Sequence, residues 1–106
     1  MKMNSLEKQV LYYILFAFYN TLLTAKQKQY FTNYFIENLS LQEIADLQKV
    51  SRTAVHDSLQ KVIILLNKYE SKLHLYEKYK QRQVIYEKYT KKYNFIKVLQ
   101  EIDKIE

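Results

Sequence analysis

The sequence predicts an all-α protein. Two observations carry that prediction. The 106-residue chain contains no glycine and no proline, and its apolar residues recur at spacings of three and four. Average usage would supply roughly 7 glycines and 5 prolines. Without them the chain lacks the residues that tight β-turns use, so long helices joined by short polar links are favoured. A third observation fixes the middle of the fold: two helix-start signals, Ser40 and Ser51, follow each other closely. The length fits one domain, and 48% hydrophobic residues are enough for a core.

The first helix is predicted to start near Asn4, with Glu7 as its reciprocal cap. Leu6, Val10, Ile14, Ala17, Phe18 and Leu22 would form its buried face. Thr24 then resets the chain. In "TAKQ", Gln27 has the spacing to reach back to Thr24 as a capping box. The second helix runs from there to about Glu37 and buries Tyr30, Phe31, Tyr34 and Phe35. Asn38 suits the left-handed conformation that ends a helix.

The third helix has the strongest start signal. Ser40 caps it, Glu43 sits at the third helical position, and Leu39 can meet Ile44 across the cap. It ends near Gln48. Only Lys49 and Val50 separate it from Ser51, the next cap, and Val50 and Val55 repeat the stapling spacing. A short helix, a tight turn and a second helix follow, which is a helix-turn-helix. Val55, Leu59, Val62, Leu66, Tyr69, Leu73 and Tyr76 then alternate steps of four and three, the seam of a bundle helix. From Ser51 to Tyr76 that fourth helix would be roughly 39 Å long at 1.5 Å per residue. The tail is also helical in pattern, with Tyr86, Tyr89, Tyr93, Ile96 and Leu99 on its apolar side. Residues 1–79 are therefore expected to form the helix-turn-helix domain, and 80–106 a basic helical extension.

The helix-turn-helix geometry assigns each residue a place. Ala45 is small enough for the crossing helix to approach. Val50 plugs the turn, and Val55 faces the first helix of the pair. Ile44, Leu41 and Leu59 complete the small core. Lys49 occupies the turn position where glycine is usual, at a cost of about 1 kcal/mol if it adopts a left-handed conformation. The surface left outside carries Arg52, Thr53, His56 and Gln60. A recognition helix presents side chains to base edges from that position. Arginine can grip guanine and glutamine adenine, each through two hydrogen bonds. Ser51 and the open amides at the helix start can hold a phosphate. Asp57 is adverse there, because its carboxylate repels phosphate. The bland alternative is an Arg52–Glu43 ion pair beside a solvated His56 and Gln60.

Other chemistry finds little support. The chain has no cysteine, which excludes disulfides, thiolate catalysis and cysteine-based zinc sites. His56 and His74 have no third ligand nearby, so no metal is expected. Glu37 with Glu43 lacks any sign of a desolvated cleft, and no nucleophile has a recognisable base. No catalytic residue is assigned, no cofactor is implied, and the chain does not read as an enzyme. The run "VLYYILFAFY" is too short to span a bilayer, and it is tyrosine-rich with no small-residue cleavage pattern after it, so it does not read as a signal peptide. Neither membrane insertion nor export is expected, and the cytoplasm is the expected compartment.

The formal charge of +6 suits a polyanionic partner. A/T-rich coding also enriches lysine and tyrosine, so charge alone does not name that partner. The eleven tyrosines invite base stacking; many lie on the helical seams and suit packing instead. The lysine excess between Lys68 and Lys92 reads as a solvated face as readily as a backbone-tracking one.

The stretches "LTAKQKQYFTNYF", "LSLQEIA", "VSRTAVHDSL" and "YESKLHLY" stand in the same order as in the YlxM family, which this chain resembles from about the first helix to Tyr79. The resemblance implies a fold similar to region four of sigma factors. It implies a DNA- or RNA-binding regulatory protein linked to the signal recognition particle pathway. The alternative is an accessory module that docks on components of that particle without reading DNA. The seam on the fourth helix exceeds what one hairpin covers. A homodimer is expected to cover it, and the tail folding back is the other solution. Two copies would set two recognition helices side by side, as palindromic sites require.

Overall fold

A computed structural model describes Met3 and residues 5–104. Its elements are α1 (Ser5–Tyr19), a single 3-10 turn (Asn20–Leu22), α2 (Ala25–Phe31), α3 (Leu41–Gln48), α4 (Arg52–Leu73) and α5 (Leu75–Asp103). The predicted all-α class and the helix-turn-helix bundle with a long fourth helix and helical tail are what the structure shows. Asn4, the expected first cap, lies outside the described residues.

Both capping boxes form. Thr24 Oγ1 accepts the Gln27 N–H at 3.1 Å, and Gln27 Oε1 accepts the Thr24 N–H at 2.9 Å. Ser40 Oγ accepts the Glu43 N–H at 3.1 Å, and Glu43 Oε1 accepts the Ser40 N–H at 3.2 Å. Each box satisfies amides that a helix start leaves unpaired. After α2 the helix widens into a π turn over Thr32–Ile36, where the Glu37 N–H donates to the Thr32 carbonyl at 2.9 Å. Asn38 ends it at φ 60°, as its short polar side chain permits.

The chain groups into two units, divided between His74 and Leu75. In the first, α4 is the central element, with α1, α2 and α3 all packed on it. Leu15, Tyr19, Phe31, Ile44, Val55, Val62 and Leu66 are fully buried. A row of aromatic rings joins α1 to α2: Phe16 stacks on Phe31 at 4.1 Å, and Phe31 on Phe35 at 4.5 Å. Such pairs add roughly 0.5–1.5 kcal/mol each beyond burial. Tyr19, at the end of α1, donates its hydroxyl proton to Glu70 on α4.

The face of α1 differs from the expected one. Ile14 and Phe18 are half-buried, but Leu6, Val10, Ala17 and Leu22 are exposed, and Leu15 and Tyr19 are buried instead. Apolar residues occupy nearly the whole run from Val10 to Tyr19, so periodicity offers several equivalent faces. The Tyr19–Glu70 bond and the Phe16–Phe31 stack select among them. On α2 the π widening likewise leaves Tyr34 exposed and turns Asn33 inward. Helix α4 stops at Leu73, three residues short of the predicted seam end, because His74 takes a left-handed conformation at φ 56°. Leu73 is exposed, and the seam is buried only as far as Leu66, with Tyr69 half-buried.

In the second unit α5 is one helix of 29 residues with no buried side chain. It runs unbroken through Lys80–Gln83. Tyr86, Tyr89, Tyr93, Ile96 and Leu99, expected on an apolar side, are all exposed. No helix among the described residues is long and apolar enough to cross a membrane.

Candidate nucleic-acid interface

The elbow between α3 and α4 is built from four residues. Lys49 sits at φ 57° and ψ 45°, the left-handed conformation. Its N–H and that of Val50 both donate to the Ala45 carbonyl, the latter at 3.0 Å. The chain thereby reverses without leaving the last turn of α3 unsatisfied. Ser51 is extended, and its Oγ accepts the Ala54 N–H at 3.0 Å. Lys49 therefore does the work that glycine usually does.

The inner side of the elbow is sealed as the motif demands. Ala45, Ile44, Val55 and Leu59 are buried in one cluster, against which Leu39, Leu41 and Val50 pack. Tyr30 and Phe35 of the preceding helical segment, expected to be buried, close the cluster from behind. Behind the elbow lies a polar latch. Asn33, 5% exposed, donates to Glu37 Oε2 at 3.0 Å and accepts from Gln48 Nε2 at 3.3 Å. It ties the last residue of α3 to the π turn. Only the widened turn brings Asn33 inward, and a standard helical wheel gives no hint of that.

The outer side carries Ser51, Arg52, Thr53, His56 and Gln60, all exposed. Arg52, His56 and Gln60 follow at steps of four on one stripe. Arg52, Thr53 and His56 line a shallow hollow with Leu41 at the start of α3. His56 and Gln60 line a second hollow, floored by Phe35 and Leu59 and flanked by Lys8 and Tyr12 of α1. Ser51 caps α4 with its oxygen, and its hydroxyl proton can still donate. The Arg52–Glu43 pair does not form. Glu43 is engaged by the Ser40 amide, and the Arg52 guanidinium has no partner among the described residues. His56 Nδ1 lies 3.4 Å from Asp57 Oδ1, with both side chains in solvent. Such a contact contributes little. A helix start such as that of α4 leaves first-turn amides without an intrahelical carbonyl, and an anion is favoured there.

A family model described as "Putative helix-turn-helix protein, YlxM / p13 like" matches residues 6–105. The chain belongs to the UPF0122 family. The match takes in all of α5, farther than the resemblance legible in the motifs. A UPF0122 protein of Lactococcus lactis, YofM, is 41% identical over 96 residues, covering 87% of this chain and 86% of its own length. A UPF0122 protein of Mycoplasma capricolum is 53% identical over 75 residues, covering 71% of this chain. One of Bacillus pumilus is 47% identical over 73 residues, covering 69%. The aligned chain spans 66% of the length of each of the latter two. The family model is described by its helix-turn-helix, and the elbow at Gln48–Ser51 is that motif in this chain.

Proposed function

We propose that the protein is a nucleic-acid-binding regulatory protein that holds its ligand with the first turns of α4. The observation that supports this most is the elbow itself: aliphatic groups seal one side while an unpaired guanidinium and the exposed stripe Arg52–His56–Gln60 occupy the other. Arg52 is assigned to a phosphate or a guanine edge, Thr53 and the Ser51 hydroxyl to phosphate, and His56 and Gln60 to a base edge. Lysines add salt-sensitive attraction. The folded body provides this binding, and the basic helix that follows it is assigned as a separate extension. Pairing of two copies would present two such faces together. A link to the signal recognition particle pathway rests on the family resemblance and belongs to the same proposal, as does a cytoplasmic location.

The test is Arg52→Ala. Affinity for a nucleic acid recovered with the protein from cells should fall by about 1–3 kcal/mol, with an unchanged circular dichroism spectrum. Unchanged affinity with an intact fold contradicts the assignment. A second reading is supported by α5, where Tyr79, Tyr86, Tyr89 and Tyr93 and the aliphatic side chains of Val84, Ile85, Ile96 and Leu99 are exposed. A protein-interaction module would use them to dock on a protein component of the particle. Capture of that component that survives nuclease and high salt would favour this reading over the first.

A further inference from the structure

We infer that the hollow between α1, the π turn and α4 receives one unpaired nucleobase of an RNA loop. The inference rests on the nucleic-acid reading and names the chemistry its face would recognise.

The recess has walls of the right kind. Tyr12 meets Phe35 edge-on at 6.0 Å, and Tyr34 meets the same ring at 4.9 Å. Phe35 is thereby fixed as a floor, with Tyr34 standing 36% exposed at its side. Flat apolar surfaces flanking an opening suit the faces of a base, because every base presents a π surface. The rim is polar and carries donors: Gln60 and His56 come from α4 and Lys8 from α1. Gln60 can both give and accept, as the edge of a base requires. Among the described residues no carboxylate lines the recess, and Lys8 is the permanent charge there; it is positive, as the phosphate flanking an inserted base requires. The hollow measures about 230 Å³, below the ~300–1,000 Å³ of sites for drug-sized ligands. That favours a single ring system over a dinucleotide.

The position matters as much as the lining. A helix that reads duplex DNA contacts base edges with its exposed N-terminal residues. Here His56 and Gln60, in the second and third turns of α4, line a recess that Lys8 and Tyr12 of α1 also line. The first turn, with Arg52 and Thr53, stays open for backbone. A strand running past it would have phosphates at Arg52 and one base turned inward between Tyr34 and Gln60. A base in an RNA loop is already unpaired and can be splayed out, whereas extrusion from a duplex costs a few kcal/mol.

The test uses a stem-loop RNA carrying one 2-aminopurine in its loop, the same label in fully paired RNA, and an all-deoxy stem-loop. The full chain should quench the loop label in a saturable way and leave the paired label unchanged. Gln60→Ala and Tyr34→Leu should each weaken loop binding about 5- to 150-fold, the cost of losing a base-edge contact or a stacked ring. Tyr34→Phe should bind like the wild type, which separates stacking from loss of fold. If the paired RNA or a DNA duplex binds as tightly, with sensitivity to Arg52→Ala but not to Gln60→Ala or Tyr34→Leu, the inference is overturned and the reading of α4 as a nucleic-acid face stands. Equal binding of the all-deoxy stem-loop overturns the assignment to RNA. If no nucleic-acid probe binds, both the inference and the reading it rests on fail.

Discussion

Lys49 holds the elbow in a conformation that its side chain resists, and replacing it by glycine measures that resistance. A residue with a Cβ gives up about 1–2 kcal/mol in the left-handed region. Glycine removes that penalty, but it also frees the unfolded chain, which offsets roughly 0.5–1 kcal/mol. Lys49→Gly should therefore stabilise the protein by about 0.5–1 kcal/mol. In a domain of this size the melting temperature should rise by about 3–6 °C. Asn38→Gly is the internal control. Its φ of 60° is nearly the same, yet asparagine visits this region readily, so the gain should be smaller. Lys49→Val tests the opposite direction, because a β-branched residue at positive φ is an outlier; it should cost more than lysine does. The assay is urea unfolding followed by helical circular dichroism, with unchanged slopes showing that only stability moved. A lower midpoint for Lys49→Gly, or a neutral Lys49→Val, would refute the left-handed elbow.

Other expectations concern the seal, the latch and the face. Val55→Ala empties a fully buried site between α3 and α4 and should cost about 2 kcal/mol, read from the same urea curves. Asn33→Ala leaves Gln48 and Glu37 without their shared partner. It should cost about 1–3 kcal/mol and speed amide exchange at the end of α3. Tyr19→Phe removes the hydroxyl that reaches Glu70 and should cost about 1–2 kcal/mol in thermal melts. Arg52→Ala should leave stability within about 0.5 kcal/mol while lowering the salt dependence of binding by about one unit of slope.

Local chemistry made the elbow readable before any coordinates. Thr24, Ser40 and Ser51 each had a hydroxyl three residues ahead of the amide it serves, and all three form the expected caps. Ala45, Val50 and Val55 followed from the size and spacing that a close crossing needs. The orientation of α1 was not readable, because a run of ten nearly uninterrupted apolar residues contains no single best face. The π turn was hidden for a related reason: nothing in "TNYFI" distinguishes a widened turn from a regular one. The stop at His74 has no counterpart in the sequence, because histidine carries no strong terminating signal. The hollow beside Gln60 joins Lys8 and Tyr12 to residues some fifty positions away, and spacing along one helix cannot reveal a partner contributed by another.

The most direct check on the α4 face is ultraviolet crosslinking in cells, followed by mass spectrometry of the tryptic peptides that carry nucleotide. Cleavage at Arg52 and Lys61 isolates residues 53–61, which include Thr53, His56 and Gln60. Nucleotide adducts should concentrate on that peptide. Adducts confined to the peptides of α5, with residues 53–61 recovered unmodified, would contradict the placement of the ligand on α4.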